Sequence, residues 1–353
     1  LAPSFGTLKF SWSSGAAGSG NGQFSESYDV AVDSSGNFFV LDRGNNRVQK
    51  FNSSGVYQSQ FGSVGTGNGQ FTRAAGIAID STDRIYVIDA TRVQRFTSGG
   101  SYSTTLITFT GLGFSGEGGL GINVDLSSGD VYTVHGGRDV FNGKEYYARK
   151  SNSSGTQQWQ VGGAVGSGNG EFNTPLGIAT DSSGNVFVAD GQNHRVQKFN
   201  SSGTYQSQFG TVGSTDGLFK APAGIEIDSS GNIWVADYFN HRVQKFNSSG
   251  VYQAQYGGQG SGNGQLLGPR GIVVTSGGDL VVADSLNNRF QRYTAFSLAT
   301  NDTVLVRHEG SGTHIENSIY TVTNPGGASA QWVLTLRSDI CLLYTSPSPR
   351  DRT

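Results

Sequence analysis

Two closely similar stretches decide the fold. They read GIATDSSGNVFVAD at residues 177–190 and GIEIDSSGNIWVAD at residues 224–237. Each is followed, two residues later, by NHRVQKFNSSG, at residues 193–203 and 240–250. A repeat of this kind indicates an array of equivalent structural units, and its period selects the architecture.

The first aspartate of this unit recurs at a nearly constant interval. Its copies are Asp33, Asp80, Asp125, Asp181 and Asp228, with Thr275 in the sixth copy, at spacings of 47, 45, 56, 47 and 47 residues. Each unit contains four short strand-like segments, which we call a to d, separated by turns rich in Asp, Asn, Ser and Gly. Six units of four antiparallel strands predict an all-β fold, a six-bladed β-propeller.

The two ends of the repeat array complement each other. Copy six ends after strand c, near Tyr293, whereas the chain opens with an unattached strand d at residues 7–12. The loop after this strand, GSGNGQF at 18–24, matches GTGNGQF at 65–71. We therefore expect the N-terminal strand to complete the last blade, which removes exposed sheet edges.

The pattern D-x-x-N-H-R-V-Q-K-F, at residues 190–199 and 237–246, resembles the NHL repeat. The resemblance covers residues 1 to about 297 and implies an NHL-type propeller. In such propellers the face formed by the b–c and d–a loops often binds partners. Copy three departs most from the pattern, because His135 replaces the strand-b aspartate and about nine residues are inserted around 136–147.

Composition excludes several classes of protein. Aromatic residues make up 11% of the 353 residues and the net charge is only −2, which argues against disorder and against a general nucleic-acid binder. No apolar run is long enough to span a membrane. The single cysteine cannot form an internal disulfide. The low charge favours an extracellular or cell-surface protein.

The C-terminal region does not fit the repeat. Residues 298–339 predict three strands, at 302–307, 318–323 and 331–336, which we interpret as the start of a truncated, sandwich-like β domain. Residues 341–353 resemble a translated sequencing adapter, so we expect residues 340–353 to be a non-native tail. We accordingly expect a metagenomic fragment of a longer protein, in which the propeller is monomeric.

Two recurrent residue types are candidates for ligand binding on the loop face. The strand-b aspartates form either an acidic ring or, as their recurrence with arginine favours, pairs such as Asp190 with Arg195. His135, His194 and His241 fall in blades three, four and five, where they are either ordinary repeat residues or ligands of a metal with one open position.

Departures from repeat symmetry are better candidates for a ligand- or partner-binding site. Tyr238 and Phe239 replace Gly and Gln in a b–c loop, and Glu226 stands where three other blades have Ala. A carboxylate there is costly unless it faces water or a cation. The remaining candidates are charged or aromatic residues of the same face: Tyr28, Asp29, Arg73, Arg138, Lys220 and Arg270.

We expect a non-enzymatic binding or scaffold propeller, without cofactor, that presents its loop face to a protein, peptide or glycan. The first alternative is a metal-dependent enzyme of the amidating-lyase or lactonase kind, with zinc or calcium held by the histidines or Glu226. The second is an RNA-binding NHL domain, which would need a basic face.

Overall fold

The computed structural model describes residues 8–109, 119–139, 143–295, 303–309, 315–321 and 340–343. The first fourteen strands are β1 (Leu8–Ser14), β2 (Ser27–Val32), β3 (Phe38–Asp42), β4 (Arg47–Phe51), β5 (Tyr57–Phe61), β6 (Gly76–Ile79), β7 (Ile85–Ile88), β8 (Arg92–Phe96), β9 (Tyr102–Thr108), β10 (Gly119–Val124), β11 (Val131–Asp139), β12 (Gly143–Ser151), β13 (Gln157–Ala164) and β14 (Pro175–Thr180). The others are β15 (Val186–Asp190), β16 (Arg195–Phe199), β17 (Tyr205–Phe209), β18 (Pro222–Ile227), β19 (Ile233–Asp237), β20 (Arg242–Phe246), β21 (Tyr252–Gly257), β22 (Pro269–Val274), β23 (Leu280–Asp284), β24 (Arg289–Ala295), β25 (Thr303–Glu309), β26 (Ile315–Thr321) and β27 (Ile340–Leu343). Single-turn 3₁₀ helices lie at Gly191–Asn193, Tyr238–Asn240 and Ser285–Asn287.

The strands form the six four-stranded sheets that the repeat predicts. Blades one to five are β2–β5, β6–β9, β10–β13, β14–β17 and β18–β21, each in sequence order. The sixth sheet has the order β1-β24-β23-β22, so β1 supplies its outermost strand. The prediction that the N-terminal strand closes the ring is therefore confirmed.

The core lies between successive blades. Phe187 and Val196 of blade four pack with Ile225 and Val235 of blade five. Equivalent apolar layers lie between blades one and two, two and three, three and four, and six and one. Five Gly-rich d–a loops end in a fully buried apolar residue: Phe24, Phe71, Phe172, Phe219 and Leu266. The three loops with the GxGNGxF pattern, at residues 18–24, 65–71 and 166–172, thus insert a side chain into the core, and each is followed by a strand, whereas a phosphate-binding loop precedes a helix.

The innermost strands of neighbouring blades approach closely. In five of the six blades, the residue four positions before the repeated aspartate or Thr275 is a glycine. A Cβ atom on Gly177 would overlap the carbonyl oxygen of Ala223 in the next blade, and one on Gly224 would overlap that of Arg270. Gly76, Gly121 and Gly271 occupy the same position in blades two, three and six. Blade one instead has Asp29 there, which makes this residue a departure from the scaffold.

Blade three differs from the others in its b–c connection. Strands β11 and β12 have nine residues each and pair from Val131 and Ser151 out to Asp139 and Gly143. The insertion predicted around residues 136–147 is this extended hairpin.

A second compact unit contains the three-stranded sheet β26-β25-β27. The strands predicted at 302–307 and 318–323 correspond to β25 and β26, shifted by up to three residues. The strand predicted at 331–336 lies outside the described residues. The third strand, β27, instead falls in the segment expected to be a non-native tail.

Candidate ligand-binding face

The strand-b aspartates are structural. Asp237 accepts the N–H of Lys220 at 2.7 Å and pairs with Nε of Arg242 at 3.0 Å, and its side chain has no exposed surface. Arg242 in turn donates to the carbonyl oxygens of Thr215 and Leu218 in the d–a loop. The same pairing occurs as Asp42–Arg47, Asp89–Arg92, Asp190–Arg195 and Asp284–Arg289. The expected Asp190–Arg195 pair is therefore confirmed. The carboxylates of Asp42, Asp190, Asp237 and Asp284 also each accept an N–H of the d–a loop, which holds that loop against the blade.

Two of the three candidate histidines have the same architectural role. His194 and His241 adopt left-handed backbone conformations directly after a 3₁₀ helix, and Nδ1 of each accepts a backbone N–H from the next blade. The donors are Ala221 and Gly268, both at 3.1 Å. In blade six, Oδ1 of Asn288 accepts the N–H of Glu26 at 2.8 Å in the same way. These side chains connect neighbouring blades.

This equivalence gives a stability prediction. His241→Ala should lower the free energy of unfolding by about 1–2 kcal/mol, because the N–H of Gly268 loses its acceptor and alanine disfavours a positive φ. His241→Asn should cost less than about 0.5 kcal/mol, since asparagine performs this role in blade six. Urea unfolding followed by tryptophan fluorescence measures both. Equal losses for the two variants would contradict the role assigned to Nδ1.

His135, the third candidate, does not share the role of the other two. Its ring stacks on Phe109 with centroids 4.7 Å apart, it is buried, and its Nδ1 has no hydrogen-bond partner. Burial, together with the charge of Arg149, lowers the pKa of His135 to about 3. Within the described residues no three His, Cys, Asp or Glu side chains are gathered as metal ligands. The described residues therefore do not bring the three histidines together as the zinc alternative requires.

The departures from repeat symmetry, in contrast, do come together. The guanidinium of Arg270 lies 4.5 Å from the ring centroids of both Tyr28 and Tyr238, and that of Arg43 lies 4.3 Å from Tyr28. Tyr238 contacts Phe239 edge to face, with centroids 4.8 Å apart. We call these five residues, Arg43, Tyr28, Arg270, Tyr238 and Phe239, the arginine–tyrosine ladder. It runs from blade one across blade six to blade five, on the face of the b–c and d–a loops.

The ladder is built at two positions that recur in the blades. Tyr28 and Arg270 are the second residues of strands β2 and β22, at a position where other blades have Ala or Leu. Arg43 and Tyr238 directly follow the strand-b aspartate. Phe239 is 51% exposed, and Leu286 in the adjacent b–c loop is 49% exposed. Exposed apolar side chains beside stacked cations are typical of binding surfaces.

A central channel of about 720 Å³ extends from the ladder between the innermost strands of all six blades. Tyr28 and Arg270 line it at the loop face, and Asp29 and Glu226 line it further in. Asp29 accepts the N–H groups of Val30 and Ile77, both at 2.9 Å.

The pKa values of Asp29 and Glu226 are both raised in the folded protein. Burial raises the pKa of Asp29 to about 7, against the effect of its two N–H donors. Burial, and then the charges of Asp29 and Asp228, raise the pKa of Glu226 to about 8. At neutral pH the channel therefore carries less negative charge than its residues suggest.

The remaining predicted residues are not members of the ladder, although the carbonyl oxygen of Lys220 accepts the N–H of Phe239 at 3.0 Å. Arg73 and Lys220 are exposed in the d–a loops of blades two and five, and Arg73 has a left-handed backbone. Arg138 belongs to the blade-three hairpin, opposite Lys144, and its side chain lies outside the described part. Sequence reasoning missed Arg43, although the signal was present: it replaces the small residue that follows the strand-b aspartate in blades two, four and six.

Comparisons with known proteins agree with this architecture. The NHL repeat model matches residues 172–199, 219–246 and 266–293, and a family described as a 6-bladed beta-propeller matches residues 22–106. No curated protein matches the sequence. The chain is a six-bladed β-propeller that contains NHL repeats. In the described residues no helix is both long and apolar enough to cross a membrane.

Solved structures share the fold at low sequence identity. A protein of unknown function from Bacteroides thetaiotaomicron has a TM-score of 0.59 at 18% identity, over 82% of this chain and 76% of that one. A gluconolactonase from Xanthomonas campestris has a TM-score of 0.56 at 13% identity, over 78% and 87%. A streptogramin B lyase has a TM-score of 0.54 at 14% identity, over 78% and 96%.

Proposed function

We propose that this propeller is a non-enzymatic binding module whose loop face binds a peptide segment of a protein partner at the arginine–tyrosine ladder. The observation that carries the proposal is the convergence of five symmetry-breaking residues from three blades on one site of the loop face, where Phe239 is exposed. A blade folds without these residues. Blade four has Gly191 at the position of Tyr238 and Leu176 at the position of Arg270.

The exposed side chains favour a peptide ligand. Phe239 and Leu286 leave apolar surface in water, and covering a large apolar side chain contributes about 1.5–3 kcal/mol. One aliphatic and one edge-on aromatic side chain suit the mixed side chains of a peptide better than the flat face of a sugar. The enzymes among the structural neighbours are only 13–14% identical, so they support the fold and not a reaction.

A peptide-display selection tests this function. Random 12-residue peptides on phage, selected against the immobilised full chain, should enrich a sequence family. Phe239→Ala should weaken binding of the enriched peptides at least tenfold, as expected for a central aromatic anchor. Leu126→Ala is the matched control, because Leu126 is also exposed but lies in an a–b turn at the opposite end of its blade. Failure to enrich any family, or enrichment that survives Phe239→Ala, would contradict the proposal.

A further inference from the structure

The ladder holds Arg270 in a fixed orientation with an unused donor. Its guanidinium is packed between Tyr28 and Tyr238, and Nη1 donates to the Tyr28 hydroxyl at 3.1 Å. Nε is buried and has no hydrogen-bond partner. The nearest carboxylate oxygen, Oε1 of Glu26, lies 3.7 Å from Nε, which is beyond hydrogen-bond range.

Ser285, in the b–c loop of the same blade, supplies a second unused donor. Ser285 is 1% exposed and its Oγ has no hydrogen-bond partner. Its equivalent in blade four is Gly191, where a Cβ atom would lie 3.1 Å from Cδ1 of Leu176, the residue equivalent to Arg270. The nearest atom to that Cβ is the carbonyl oxygen of Thr174, at 2.8 Å, so by equivalence the side chain of Ser285 lies beside the start of the strand that carries Arg270.

Two buried donors without acceptors are costly, and a carboxylate would satisfy both. Each such group loses water without gaining a partner, which destabilises the free protein. A carboxylate has two oxygens that match the fork of an arginine and accept several hydrogen bonds. The carboxylate of Glu26 stands close to this position without filling it.

The surroundings favour a single negative charge over a phosphate. The carboxyl group of Glu26 lies beside Arg270, so a dianion would be repelled more strongly than a carboxylate. Next to this position, Leu286 and Tyr238 both border Gly268, where a Cβ atom would contact each of them. An apolar surface thus adjoins the two donors.

We propose that Arg270 and Ser285 bind the side-chain carboxylate of an acidic residue in a peptide ligand, with a neighbouring apolar residue on Phe239 and Leu286. The carboxylate displaces Glu26. This inference rests on the peptide-binding function proposed above and adds the chemistry of the ligand.

Two display libraries, X₅-Glu-X₅ and X₅-Gln-X₅, test the inference on the full chain. The Glu library should enrich at least tenfold over the Gln library on the wild-type protein. Arg270→Gln should abolish this preference and Ser285→Ala should reduce it several-fold. Ser285→Ala removes an unsatisfied buried hydroxyl, so the variant should be at least as stable as the wild-type protein. Weaker binding by this variant would therefore not result from unfolding. Glu26→Gln should increase the enrichment, because it removes the competing carboxylate.

Arg73→Gln is the matched control, since Arg73 is an arginine of the same face outside the ladder. Equal enrichment of the two libraries, with binding still lost in Phe239→Ala, would overturn the carboxylate inference and leave the binding function intact. Enrichment that is insensitive to Phe239→Ala would overturn both. Stronger competition by polygalacturonate than by the enriched peptides would overturn the peptide as partner, and competition by inorganic phosphate at millimolar concentration would overturn the choice of a carboxylate.

Discussion

Asp237→Ala is expected to lower the free energy of unfolding by about 3–5 kcal/mol, the cost of leaving one partner of a buried ion pair alone. The substitution removes the acceptor for Nε of Arg242, for the N–H of Lys220 and for the side-chain amides of Asn240 and Gln244. The guanidinium then stays buried without its counter-charge, and the d–a loop loses its attachment. We expect the loop face of blade five, with Tyr238 and Phe239, to loosen as well.

Asp216→Ala is the matched control for this prediction. Asp216 also pairs with Arg242, at 3.8 Å, but its side chain is 60% exposed. Exposed ion pairs contribute about 0–1 kcal/mol, so its loss should be small. Urea unfolding of both variants at pH 7 measures the difference. Similar losses for the two substitutions would show that burial of Asp237 is not what makes its pair important.

Glu226→Gln is expected to stabilise the protein above neutral pH. The pKa of Glu226 is about 8 in the folded protein against 4.5 for an unperturbed glutamate, so the folded state retains a proton that the unfolded state has lost. Stability of the wild-type protein therefore falls as pH rises from about 4.5 to 8. The variant lacks this loss. It should match the wild type near pH 4.5 and exceed it at pH 8.5 by on the order of 2 kcal/mol, since water in the channel screens part of the effect.

Unfolding free energies at pH 4.5, 6.5 and 8.5 provide the measurement. Glu171→Gln is the control for the effect of replacing glutamate with glutamine. Glutamines occupy the same loop position in other blades and accept the same kind of N–H bond as Glu171: Gln23, Gln70 and Gln265. A stability difference between wild type and Glu226→Gln that stays constant with pH would refute the raised pKa of Glu226.

The fold was predictable because its determinants are repeated in the sequence. The spacing of Asp33 and its copies gives the number of blades. Because Asp190 and Arg195 recur together in the repeat, their pairing could be predicted without a structure. The unattached first strand predicts the ring closure. Repetition also misled, because His194 and His241 belong to the repeat and connect blades, whereas the sequence alone allowed a metal site.

The site was only partly predictable, because its members are distant in sequence. Tyr28 and Arg270 lie in neighbouring blades only after the ring has closed, and no spacing rule connects them. Each could be singled out as a departure from symmetry, but their stacking depends on the angle between blades. The unpaired donors of Arg270 and Ser285 are a property of packing and have no sequence signature.

Strand β1 also determines when the protein can finish folding. Trp12 packs against Phe38 of blade one and Phe290 of blade six, with centroids 5.8 and 5.5 Å away. Nearly the whole propeller must be synthesised between Trp12 and Phe290, so blade six and the site beside it are completed last and through the least local contacts in the ring. Until then β1 is an unpaired strand, and in a concentrated solution it can complete the sixth blade of another molecule, which makes a strand-swapped dimer the expected misfolded product.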